Sequence, residues 1–105
     1  MIMEIELLHI AGCPSWIAAG HNVAEALRET GHGATPLRYR LIRTEEDAAA
    51  VPFAGSPTIT LNGKDLFPGA DHSVALACRV YATPAGVAGT PTVDQIREAI
   101  ITRGR

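Results

Sequence analysis

Within Gly12-Cys13-Pro14-Ser15-Trp16, Cys13 stands where an Ile/Leu-rich strand, Glu4 to Ile10, gives way to a helix. Free backbone N–H groups and the positive end of a helix dipole favour thiolate over thiol at such a place. Cys13 is therefore a candidate nucleophile or soft-metal ligand. The competing reading is a small buried hydrophobe, the commoner fate of a lone cysteine. Trp16 occupies the position where a second cysteine would complete a redox pair. The other cysteine, Cys78, lies 65 positions away. Two cysteines are too few for a disulfide framework, and in a cytoplasm both are expected to be reduced. The histidines, His9, His21, His32 and His72, show no ligand spacing. Strand residues four apart are displaced by roughly 13 Å, so His9 is not expected to touch Cys13 and reads as a satisfied strand histidine. Zinc motifs, phosphate loops and serine elbows are absent from the sequence.

The elements that must position Cys13 follow from periodicity. From Pro14, a residue suited to the first helical position, Trp16, Ala19, Val23, Ala26 and Leu27 repeat at helical spacing, and Gly31 is placed to stop the helix. Gly20 weakens that stripe. Leu37 to Leu41 alternates apolar and basic residues as a half-exposed edge strand does. Thr44 caps a short acidic helix running to Val51. Thr58 to Leu61 is a β-branched strand with Pro57 at its start, a position where a cis bond is possible, and Asn62-Gly63 signals a tight turn.

Val74 to Tyr81 admits two readings, a strand or a helix capped by Asp71. The strand is preferred because Val80-Tyr81 and Thr83-Pro84 favour extended backbone. Cys78 then becomes a buried strand residue and Arg79 a solvated one. Ala82 to Pro91 reads as a Gly/Pro-rich loop. Thr92 and Gln95 form a capping box for a last helix whose stripe is Val93, Ile96, Ala99 and Ile100.

The order β-α-β-α-β-β-α predicts an α/β domain spanning 1–105, with a central four-stranded mixed sheet flanked by helices. With 47% hydrophobic and 19% charged residues, the composition is that of a soluble globular protein. A net charge of -2 gives no reason to expect nucleic acid or an anionic membrane as partner. The sequence has no apolar run of spanning length and no leader pattern, so the expected compartment is the cytoplasm.

A cysteine at the first long helix and Ser56-Pro57-Thr58 opening the third strand resemble the thioredoxin-like fold family. The resemblance implies that Pro57 is cis and lies against Cys13, the attacking cysteine, with neighbouring backbone pairing a substrate. It makes Ser56, Thr58 and Trp16 candidate substrate-binding residues, and Cys13, Pro57 and Cys78 candidate catalytic ones. Monothiol glutaredoxins also lack the second motif cysteine, but their serine-containing motif is not matched here. The pattern of Gly-Cys-Pro, Gly55-Ser56-Pro57-Thr58, Asp65-Leu66-Phe67 and Ala77-Cys78-Arg79-Val80-Tyr81 is similar to small proteins labelled alkylmercury lyase-like. That similarity implies Cys13 and Cys78 as mercury-holding thiolates, with Asp65 or Asp71 near them.

Three functions are therefore expected to compete. One is monothiol redox or electrophile chemistry at Cys13, on a small-molecule or protein thiol or disulfide. Another is organomercury or soft-metal handling by both cysteines, and the last is a non-catalytic groove around Trp16 and Pro57. No cofactor is implied. Phe67 and Tyr81 read as packing residues, and Trp16 more simply as filler on the helix.

Overall fold

A computed structural model describes residues 3–68 and 75–103. The chain runs β1 (Ile5–His9), α1 (Ser15–Glu29), β2 (Leu37–Leu41), α2 (Glu45–Ala49), β3 (Thr58–Leu61), β4 (Lys64–Asp65), β5 (Tyr81–Thr83), β6 (Gly86–Ala88) and α3 (Val93–Arg103). The result is a mixed α/β protein whose main sheet has the order β2-β1-β3-β4. β2 is parallel to β1, with Leu7 opposite Tyr39, whereas β3 is antiparallel to β1, with Leu7 opposite Ile59.

Strand alternation divides the apolar residues between two faces. Ile5, Ile59 and Leu61 meet Val23, Ala26 and Leu27 of α1 and Ile96 and Ile100 of α3. On the other face Leu8 and Ile10 meet Ala48 of α2, Ile42, Phe53 and Cys13. Cys13 thus sits at the edge of a core layer.

Local chemistry explains the boundaries. In α1, Pro14 is the N-cap and not the first helical residue expected, which leaves Cys13 one position outside the cap. Gly31, at φ 81°, ends α1, with His32 N–H returning to the Leu27 carbonyl at 2.8 Å. Thr44 Oγ1 accepts from Asp47 N–H at 3.0 Å and starts α2, which stops at Ala49, short of the expected Val51. The Thr92–Gln95 capping box closes at 2.9 and 3.1 Å. Asn62 and Gly63 both have positive φ, as a two-residue hairpin between β3 and β4 requires.

The expected strand at 74–81 is corrected. The short β4 is the fourth strand of the sheet, and Tyr81 opens β5 of a separate hairpin with β6, in the stretch read as a loop. The alternative helix from Asp71 lies outside the described residues. Among the described residues Cys78 makes a single parallel bridge, to Ser56.

Candidate functional site

The two cysteines are joined. Cys13 and Cys78 form a disulfide with Cα atoms 5.9 Å apart, inside the ordinary range for such bonds. Cys13 is 2% exposed, whereas Cys78 is exposed, so Cys78 is not the buried strand residue expected.

Backbone pairing holds the disulfide in register. Ser56 N–H donates to the Ala77 carbonyl at 2.9 Å, and Arg79 N–H donates to the Ser56 carbonyl at 2.8 Å. The peptide bond that follows, Ser56–Pro57, is cis. Gly55 allows this approach: at φ 106°, a Cβ there would lie 2.7 Å from Arg79 Cβ and 3.1 Å from its Cα.

Arg79 is the anchor of the segment. It is buried, not solvated as expected, and donates to Asp65 Oδ2 at 2.9 Å and to the Phe67 carbonyl at 2.6 Å. Its guanidinium also lies 4.6 Å from the Tyr81 ring centre. Asp65 Oδ1 accepts from Phe67 N–H at 2.9 Å, so both oxygens of this carboxylate are engaged. That arrangement leaves Asp65 poorly suited to protonate a leaving carbon, while Asp71 lies outside the described residues. Tyr81 packs edge-on to Phe67 and donates to the Pro57 carbonyl at 2.5 Å, and burial pushes its phenol pKa upward.

The remaining candidate residues are structural in their contacts. Ser56 Oγ accepts from Ile10 N–H at 3.1 Å, and Thr58 Oγ1 donates to the Gly55 carbonyl at 2.5 Å. Both residues are fully buried. Trp16 is half-buried, stacked on His9 with ring centres 4.4 Å apart and edge-on to Tyr39 at 5.6 Å.

His9 departs from the satisfied residue expected, since its buried Nδ1 has no hydrogen-bond partner among the described residues. Burial pushes its pKa below the usual imidazole value, opposed to a smaller extent by the Ile10 backbone. The missed signals were thus Arg79 and His9. Only Gly55, a glycine directly before Ser56-Pro57, hinted in sequence that another backbone comes close.

Beside the disulfide lies an open groove of about 390 Å³ bordered by Ile10, Gly12, Leu41, Arg43 and Leu76. Among the described residues no three His, Cys, Asp or Glu side chains converge as a metal site, and no helix is long and apolar enough to cross a membrane. The fold and site define a mixed α/β protein with one disulfide linking a helix start to a segment docked beside a cis-proline. No family model, curated protein or solved structure matches the chain.

Proposed function

We propose that the chain is a thioredoxin-like thiol–disulfide exchange protein whose redox couple is Cys13 and Cys78. The observation carrying this reading is the Cys13–Cys78 disulfide itself, set between the start of α1 and the residue bridged to Ser56, next to cis-Pro57. Cys78 supplies the second thiol that Trp16 denies to the local motif. A mixed disulfide on either sulfur then has a second thiol at hand, because the backbone already holds the two residues at bonding separation.

The reading requires a disulfide that opens in the folded protein. Equilibration in dithiothreitol redox buffers, followed by maleimide alkylation and far-UV circular dichroism, should give one two-electron transition with helix content retained. Catalytic amounts should also accelerate reduction of a disulfide-linked peptide. A disulfide that yields only when the chain unfolds would make it a structural staple and end this reading.

A further inference from the structure

We infer that a partner thiol attacks at Cys78, with buried Cys13 as the leaving and resolving sulfur, a division of labour that rests on the exchange reading above. Thiol–disulfide exchange needs the nucleophile in line with the S–S bond, on the side of the attacked sulfur away from the leaving one. At Cys13 the surroundings are Leu8, Ile10, Ile42, Ala48 and Phe53, and the residue is 2% exposed. A thiolate cannot reach it without opening the core. At Cys78 the residue is exposed, as are Leu76, Ala77 and Val80, the last at 68%.

The released sulfur also has somewhere to go. As a thiolate, Cys13 stands one position before the Pro14 N-cap, at the positive end of the α1 dipole. As a thiol, it has the Ser56 carbonyl oxygen 3.6 Å from its Sγ as an acceptor.

Cys78 does not drift away when the bond opens. Its neighbours keep both hydrogen bonds to Ser56, and Arg79 stays clamped between Asp65 and the Phe67 carbonyl. Arg79 is accordingly a positioning residue: it returns a mixed disulfide on Cys78 to Cys13.

The reaction balances as follows. A partner thiolate bonds to Cys78 Sγ, the Cys13–Cys78 bond breaks, and its electron pair leaves on Cys13. A second partner thiolate attacks the partner's sulfur in that mixed disulfide, releasing the partner disulfide and the Cys78 thiolate. Two partner thiols are oxidised and the protein disulfide becomes a dithiol. In reverse, the Cys78 thiolate attacks a substrate disulfide and Cys13 displaces the substrate thiol from Cys78.

Oxidised native protein treated with glutathione, quenched with acid and peptide-mapped should carry the adduct on Cys78. Reduced C13S should react with an aromatic disulfide at least about tenfold faster than reduced C78S, in line with the exposure of residue Cys78 against the burial of Cys13. An adduct on Cys13 in the native protein, or equal or faster reaction of C78S, overturns the assignment while leaving the exchange reading intact. No adduct on either cysteine under native conditions overturns both. In R79M, a slower return of the mixed disulfide to the intramolecular bond, with an unchanged rate of glutathione attack, is the expected mark of positioning. An unchanged return rate would remove Arg79 from the scheme.

Discussion

Ser56 and Cys78 lie side by side as a parallel bridge, with Ser56 bonded through its N–H to Ala77 and through its carbonyl to Arg79. Three kinds of tether therefore act on one short segment: this backbone pair, the disulfide to Cys13, and the Arg79–Asp65 ion pair. Each can be removed separately, and each should fail differently.

Loss of the disulfide acts mainly on the unfolded chain. It closes a span of 65 positions, for which loop-closure entropy gives about 4 kcal/mol of stabilisation. Reduced protein and C78S should both stay folded, with urea midpoints lowered by similar amounts and denaturant slopes steeper than that of the oxidised protein, because the unfolded chain without the cross-link exposes more surface. A much smaller loss would mean that the backbone pair at Ser56 already restrains the unfolded chain.

The ion pair should respond more sharply to loss of one partner than of both. Arg79 and Asp65 side chains are 7% and 6% exposed, so R79M leaves a buried carboxylate whose remaining partner among the described residues is the Phe67 N–H. Breaking such a pair costs roughly 3–5 kcal/mol, whereas replacing both charges with apolar groups is often near neutral. D65L/R79M should accordingly be more stable than R79M in urea denaturation. Additive losses would show that the two charges act independently.

Two glycines invite opposite outcomes. At Gly20 a Cβ would meet the hydroxyl of Tyr39, a half-exposed side chain that can swing aside, and alanine gains about 1 kcal/mol in helix propensity. At Gly55 the obstacle is Arg79 backbone and φ is positive, so neither side can yield. Thermal unfolding should place G20A within about 1 kcal/mol of the parent and G55A well below it, by roughly 2 kcal/mol or more.

Much of the frame was legible because local signals agreed with the tertiary structure. The Thr44 and Thr92 caps, the Gly31 stop and the Asn62-Gly63 turn each satisfy a local backbone need visible in a few residues. The segment at 75–80 was not legible for the opposite reason. Its conformation is set by Gly55, Ser56, Asp65 and Cys13, all at least 10 positions away in sequence, and its alternation imitates a strand that nothing local completes. Arg79 was misjudged because a charge is ordinarily solvated, and only the fold brings Asp65 to it. His9 was misjudged because the rings that cover it, Trp16 and Tyr39, come from α1 and β2.

Tyr81 offers a test of the cis-proline support. Its hydroxyl donates to the Pro57 carbonyl in a buried setting, so Y81F strands that acceptor at a cost of about 1–3 kcal/mol. Burial raises the phenol pKa, so the stabilisation it lends is complete below the ordinary phenol value near 10 and lost as pH climbs beyond it. Stability of the parent should fall with rising alkalinity more steeply than that of Y81F. Parallel curves would exclude Tyr81 as the group responsible.

His9 gives the corresponding prediction in acid. The folded state holds its imidazole neutral, with a pKa below the usual 6.5, against Trp16 and Tyr39. Protonation is therefore easier in the unfolded chain, and the sign follows: His9's contribution is fully present above about pH 6.5 and drains away as pH falls toward the folded value. Urea midpoints between pH 7.5 and pH 5 should decline in the parent and decline less in H9F, which keeps a ring against Trp16 but cannot titrate. Trp16 is the sole tryptophan, so its fluorescence follows the same stack directly. Its emission should change over the acid range in the folded parent and hold steady in H9F; an identical acid response in both proteins would locate the titrating group elsewhere.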